Sequence, residues 1–332
     1  MARIFSGIQP SGELHIGNYL GAVRNWVALQ EQHDCHICIV KQHAITQDYQ
    51  TDLLEQRTFD MAVSLLAAGI DPEKCILFVQ SHVPEHTELA WLLTTVTPLG
   101  ELERMTQFKD KALRQESVLA GLLMYPVLQA ADVLLYHGEV VPVGEDQVQH
   151  VELMREVARK WNARFGDYFP EPQVQLTPAK RIIGLDGDAK MSKSLGNTVG
   201  LLDPPERIWE QLRPAKTDPA RVTRRDPGEP TKCNVYTIHT YFTPPAGLER
   251  VAVNCRGARW GCLDCKRVLA DNMIETFTPM RERAAALRAH PERVHDTLRT
   301  GAERARAIAM DTMRVVRERM GFLPATAPAV SP

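Results

Sequence analysis

Over the first two hundred residues, short apolar runs alternate with segments of helical periodicity, the pattern of a parallel α/β sheet. Residues 3–6 (RIFS) predict a strand that runs into Gly7, Pro10, Ser11 and Gly12. From Gly17 or Asn18 the apolar positions Leu20, Val23, Val27 and Leu29 fall mostly at helical spacing. A second strand (Ile37–Val40), a helix from about Asp52 to Ala68 stopped by Gly69 and Asp71-Pro72, and a third strand (Cys75–Gln80) repeat the alternation. A Rossmann-like, doubly wound parallel sheet accounts for all of these. Beyond Val141-Pro142-Val143 a helix from Gln147 to Trp161 ends near Gly166. Pro170, Pro172 and Pro178 then predict irregular chain, where the strand–helix alternation stops.

From Pro204 the pattern becomes helical. A short helix is expected at about 205–212, a long one at about 266–288, and another at about 292–320. In the last, Leu298, Ala302, Ala305, Ile308, Ala309, Thr312, Met313, Val316 and Met320 form an apolar stripe that reads as core. The division expected is a catalytic domain over 1–195, a mostly helical domain over 196–290, a C-terminal helix packing back over 291–322, and a disordered Ala/Pro tail over 323–332. A length of 332 residues suits two domains, and 44% hydrophobic residues suffice for a real core.

Net charge is −2, which excludes a polybasic chain, but its distribution is uneven. Residues 1–200 carry 17 basic and 25 acidic side chains, and 201–332 carry 22 and 16. A small substrate in the first part and a polyanion against the second fit that split. There is no apolar run long enough to cross a membrane, and the opening MARIFSGIQPSG lacks the apolar region of a secretory signal; a cytoplasmic location is expected. Seven cysteines, an odd number, do not resemble a secreted disulfide framework.

Two short motifs carry the chemistry. In G7-I8-Q9-P10-S11-G12 followed by H15-I16-G17-N18, small residues let the backbone approach a ligand, and the helix that follows offers free N–H groups to a phosphate. In K190-M191-S192-K193-S194, two lysines three apart place mobile positive charge around a polyphosphate whose leaving group gains charge during transfer. Together they resemble the HIGH and KMSKS signatures of class I aminoacyl-tRNA synthetases. IFSGIQPSG (4–12), GNYLGA (17–22), QHAIT (42–46), GELERMTQFK (100–109), AADVLLY (130–136) and VPVGEDQ (141–147) resemble the bacterial tryptophanyl branch block for block, over residues 1 to about 320.

That resemblance implies activation of L-tryptophan by ATP with Mg²⁺, then transfer to tRNA(Trp), in a homodimer. It implies a catalytic set of His15, Asn18, Lys111, Lys190 and Lys193. ATP would be held by Gln9, Ser11, Gly17, Asn18, Asp146, Met191, Ser192 and Ser194. Tryptophan would meet Phe5, His43, Tyr125, Asp132 and Gln147, with Asp132 accepting the indole N–H. A carboxylate among Ala130, Ala131, Val133, Leu134 and Leu135 needs a donor, and an indole N–H is one that suits. Lys41 and Gln129 depart from the branch's pattern at positions that bear on pocket polarity. The tyrosyl branch shares both signatures and is the nearest alternative; a tRNA-binding protein without charging activity is a second.

Cys233, Cys255, Cys262 and Cys265 follow the spacing C-x21-C-x6-C-x2-C, four soft ligands suited to zinc or to a [4Fe–4S] cube. A subset of the tryptophanyl branch carries similar spacing around a [4Fe–4S] cluster, so a cluster is expected there, with structural zinc as the alternative. Cys35 and Cys38 also read CxxC, but on a strand they point to opposite faces.

Overall fold

The structure is a computed structural model that describes residues 1–12, 14–46, 48–113, 117–177, 182–193 and 195–323. The expected alternation builds five parallel strands: β1 (Arg3–Ile8), β2 (Asp34–Ile39), β3 (Cys75–Val79), β4 (Val140–Val143) and β5 (Gln173–Leu176). Their order is β3-β2-β1-β4-β5. The chain therefore runs outward from β1 in one direction and returns to its other side at β4. Such a reversal opens a crevice at the carboxyl ends of the central strands, where ligands of this architecture sit. β1 and β2 pair from Arg3↔Asp34 to Ile8↔Ile39, whereas β1 and β4 share the single pairing Ile4↔Val140.

Alternation along the strands feeds two cores. Ile4, Ile37, Ile39, Leu77 and Val79 face one, and Phe5, Cys38 and Phe78 face the other. Cys35 belongs to the first and Cys38 to the second, the split that strand geometry predicts.

Three stretches differ from the expected pattern. The proline-marked segment after Gly166 contains β5, an exposed edge strand. Prolines before and after a strand cost no ladder bond at an edge, so they did not prevent pairing. The helix after β1 is not regular: Ile16–Asn18 passes through a π-turn at Tyr19–Val23 before Arg24–Leu29. The second half also carries helices Asn234–Phe242 and Pro245–Arg256, and its long helix begins at Cys262, four residues early. Asp264 explains that start, because its carboxylate accepts from the Gly261 N–H at 2.7 Å and caps the first turn.

The last helix, Pro291–Arg319, lies against β3. Leu298, Ala302, Ala305, Ala309, Thr312, Met313 and Val316 of its stripe are buried. Gly301 meets the sheet so closely that a Cβ there would stand 1.8 Å from the Leu77 carbonyl oxygen. The Arg304 guanidinium donates to the carbonyls of Pro72 (2.9 Å) and Cys75 (3.3 Å), and the Thr312 hydroxyl donates to that of Leu135 at 2.8 Å. Among the described residues no helix is long and apolar enough to cross a membrane. The tail from 324 lies outside the described residues.

Candidate active site

The crevice beside β1 is built first from the loop that leaves the strand. Past Ile8 the chain turns at Gln9, whose carbonyl accepts from the Ser11 N–H at 2.8 Å, and Gly12 takes a φ of +109° that favours glycine. His15 then caps the helix: its Nδ1 accepts from the Gly17 N–H at 3.1 Å. With Nδ1 accepting, the proton of the neutral ring sits on Nε2. Burial, then the nearby Lys193 and Lys190 charges, push the His15 pKa down to about 4, so the ring is neutral at pH 7.

The second signature folds over the first. The Ile16 N–H donates to Val199 O at 3.0 Å and the Leu201 N–H to Leu14 O at 2.8 Å, so the chain that follows the lysines runs beside the histidine loop. A Cβ at Gly12 would lie 3.5 Å from Lys193 Nζ, and one at Gly17 would lie 3.3 Å from the Cβ of buried Met191. Sequence positions about 170 residues apart thus form one surface: His15 and Gly17 with Lys190, Met191 and Lys193. Gln9 and Ser11 are exposed on the same loop, and Asn18 lies in the first turn of the helix. Ser194 lies outside the described residues.

On the other side stands Asp132, on the helix Ala120–Leu134 and only 1% exposed. Its Oδ1 accepts from Gln80 Nε2 at 2.7 Å and meets His86 Nδ1 at 2.6 Å, while Oδ2 meets His43 Nε2 at 2.7 Å. Burial by itself would raise this carboxyl; the His43 and His86 contacts outweigh it and hold the group well below the usual range. His86 Nε2 continues to the Tyr136 hydroxyl at 2.8 Å, and the Tyr136 ring stacks on Phe5 with centroids 5.6 Å apart. The His43 ring meets the Tyr125 edge at 6.4 Å, and the Tyr125 hydroxyl bonds His150 Nε2 at 2.9 Å. Lys111 Nζ stands 5.4 Å from the Tyr125 ring centroid, with a pKa lowered by burial. Gln147 Oε1 accepts from Gln129 at 3.5 Å, and its amide donates to Asp146 Oδ2 at 3.3 Å. Lys41 opens the short helix Lys41–Ala44 that carries His43.

Comparison with known proteins fits this geometry. The family described as "tRNA synthetases class I (W and Y)" matches residues 1–278. A tryptophan–tRNA ligase of Deinococcus radiodurans is 56% identical over 328 residues, covering 97% of this chain and 99% of that protein. The chain belongs to the tryptophan–tRNA ligases of class I. Tryptophan–tRNA ligase 2 of Streptomyces avermitilis is 46% identical over 97% of the chain. The tryptophanyl-tRNA synthetase of Campylobacter jejuni, solved with ADP and tryptophan, superposes with a TM-score of 0.89 at 36% identity, covering 96% of this chain and 100% of that one. A tyrosyl-tRNA synthetase of Archaeoglobus fulgidus, at 22% identity and a TM-score of 0.67, shares the fold.

Within this ligase fold, the polar groups that sequence reasoning missed are Gln80, His86, Tyr136 and His150. One signal was present: a buried acid demands donors, and Gln80 and His86 flank the end of an otherwise apolar strand.

The metal expectation is not met. Among the described residues no three His, Cys, Asp or Glu side chains are grouped to hold a metal ion, which overturns the expected [4Fe–4S] cluster and its zinc alternative. Cys233, Cys255, Cys262 and Cys265 are free thiols. Burial, then the charges of the neighbouring Cys233, Cys255 and Cys262, pushes the Cys265 thiol up to about 12. Cys265 Sγ contacts His239 Nε2 at 3.4 Å, and Cys255 Sγ accepts from Arg221 at 3.8 Å. Cys262 and Cys265, three residues apart, share a face at the start of the Cys262–Ala289 helix. A shared helix face does not by itself create an ion site.

Proposed function

We propose that this chain is a tryptophan–tRNA ligase. It activates L-tryptophan with ATP to tryptophanyl-adenylate and pyrophosphate, then transfers tryptophan to the 3′ end of tRNA(Trp). The observation that carries the reading is the juxtaposition of His15 with Lys190 and Lys193 at the carboxyl end of β1, across the crevice from a buried, ionised Asp132.

Gln9, Ser11, Gly17, Asn18, Asp146, Met191, Ser192 and Ser194 hold ATP in this reading, and Phe5, His43, Tyr125, Asp132 and Gln147 hold tryptophan. The tryptophan carboxylate oxygen attacks the α-phosphorus in line, and the bond to the bridging oxygen of pyrophosphate breaks. Both electrons of that bond leave with pyrophosphate. Lys111, Lys190 and Lys193 meet the growing charge, and the neutral His15 ring offers its Nε2–H to a phosphate oxygen. The terminal ribose hydroxyl of tRNA then attacks the activated carbonyl and AMP leaves. Asp132 selects the side chain. With His43, His86 and Gln80 already donating to it, a remaining lone pair accepts the indole N–H, and phenylalanine leaves that acceptor unpaired.

The division at about 195, 290 and 322 separates the catalytic part from a helical part that faces tRNA, with its excess of basic side chains. A homodimer is supported by Trp91, 68% exposed on the helix Glu85–Thr94, and by Leu99, 59% exposed nearby. A cytoplasmic location follows from the function. Charging of tRNA(Trp) with labelled tryptophan tests the reading: ATP-dependent charging is expected, and adenylate formation without charging would contradict it. Sedimentation at about twice the 37.3 kDa chain mass is expected for the dimer.

A further inference from the structure

The lysine signature lies on a folded-back loop. Ile183 and Lys190 form an antiparallel bridge, the Met191 N–H donates to Ile182 O at 3.0 Å, and the Gly184 N–H donates to Ala189 O at 2.8 Å. Its first arm is fixed to the helical part of the chain. The Asn234 side-chain amide donates to Gly184 O at 2.7 Å, and the Lys216 N–H donates to Leu185 O at 2.8 Å.

Asn197, 5% exposed, lies across both arms. Its Oδ1 accepts from the Ser192 N–H at 2.7 Å, between the two lysines. Its Nδ2 donates to Asp186 Oδ2 at 2.6 Å and, at 3.4 Å, to Lys190 O. Asp186 is braced in turn, its Oδ1 accepting from the N–H groups of Asp188 and Ala189, both at 3.2 Å. Space is reserved for this arrangement, since a Cβ at Gly184 would stand 2.1 Å from Asn197 Nδ2. An amide is needed at 197 because one end must accept from Ser192 while the other donates to a carboxylate.

We propose that Asn197 and Asp186 are positioning residues of the activation step: their clasp sets where Lys190 and Lys193 stand against the transferring phosphates. Neither touches substrate in this account, which rests on the reading of the two lysines given above. Charge stabilisation accelerates a reaction when its donors are ordered before the charge develops. A loop without its clasp orders the lysines only as the transition state forms, and that cost falls on turnover rather than on tryptophan binding.

The test uses Asn197→Asp, which keeps the shape but removes both donors and faces Asp186 with a second carboxylate. It also uses the exchange Asp186→Asn with Asn197→Asp, which restores complementarity with the donor direction reversed. In ATP–pyrophosphate exchange, Asn197→Asp is expected to lower kcat by roughly 10- to 100-fold with the tryptophan KM within about twofold, and the exchange to recover to within about fivefold of wild type. Asn197→Ala and Gly184→Ala, which undo the clasp without carboxylate repulsion, are expected to lower kcat in the same way, so the test does not depend on one variant folding. A kcat within about threefold of wild type in these variants, a rise in tryptophan KM matching the loss, or an exchange no better than Asn197→Asp would each overturn the proposal. Lys193→Ala separates the two levels. If it is impaired while the Asn197 variants are not, the clasp fails alone; if it is fully active, the reading of the lysines fails as well.

Discussion

Replacing Asp132 by Asn is the perturbation most closely tied to amino-acid choice. The carboxylate makes three contacts of 2.6–2.7 Å, two on Oδ1 and one on Oδ2, inside a site only 1% exposed. An amide has one acceptor oxygen. If it keeps His86 and Gln80, its NH2 turns toward His43 and toward the indole N–H, and if it flips, the two donors on the other side are orphaned. Tryptophan then loses a hydrogen bond to a charged acceptor, about 1.5–3 kcal/mol, and part of the cost of facing two buried donors adds to it. A total of about 2–4 kcal/mol corresponds to a loss of roughly 30- to 1000-fold in kcat/KM for tryptophan. In the proposed reading ATP binds against the other wall, so its KM is expected to stay within about twofold. The assay is tryptophan-dependent ATP–pyrophosphate exchange with each substrate varied in turn, alongside thermal unfolding to show that the variant is folded at the assay temperature. A kcat/KM for tryptophan within about threefold of wild type, in folded protein, would refute the role of Asp132.

Lys193→Ala is expected to lower the rate of adenylate formation by about 100-fold while leaving the circular dichroism spectrum unchanged, as checked by single-turnover activation. Gly301→Ala must move the last helix away from β3, because its Cβ would meet the Leu77 carbonyl at 1.8 Å; a loss of about 2–3 kcal/mol in urea unfolding is expected, and unchanged stability would contradict the packing. Acid should destabilise the fold through its buried histidines. Burial holds His15, His36, His150 and His239 each at about 4, below the 6.5 of an unperturbed ring. The unfolded chain therefore binds protons that the native state refuses between pH 6.5 and 4, and stability falls by up to about 1.4 kcal/mol per pH unit for each such histidine. Urea unfolding at pH 7 and pH 5 reads this directly, and equal or greater stability at pH 5 would contradict it.

How far the sequence carried the argument varied with the range of the interaction. Short-range signals held: the glycines and prolines after β1, the strand of β3 and the apolar stripe of the last helix correspond to what formed. The motifs HIGN and KMSKS were legible because their chemistry requires particular residues side by side in the chain. Asp132 was legible as a buried acid, but its donors Gln80, His86 and His43 come from other elements, and a list of residues does not reveal which of them meet. β5 was missed because prolines argue against a strand in a sheet's interior and say little at its edge. The four cysteines misled for a related reason. Spacing along the chain states which sulfurs share a helix face, whereas coordination depends on how residues from separate helices meet and on competing partners such as His239 and Arg221. Asn197 was invisible as a functional residue, since its value depends on a glycine thirteen positions earlier leaving it room.

The central claim, that this crevice activates tryptophan, is tested most directly by amino-acid-dependent ATP–pyrophosphate exchange with tryptophan and with tyrosine. The account predicts exchange with tryptophan and a far lower kcat/KM for tyrosine, whose shape and hydroxyl direction do not bring a donor to Asp132 as the indole N–H does. Exchange driven by tyrosine at a comparable rate, or by neither amino acid, would contradict it.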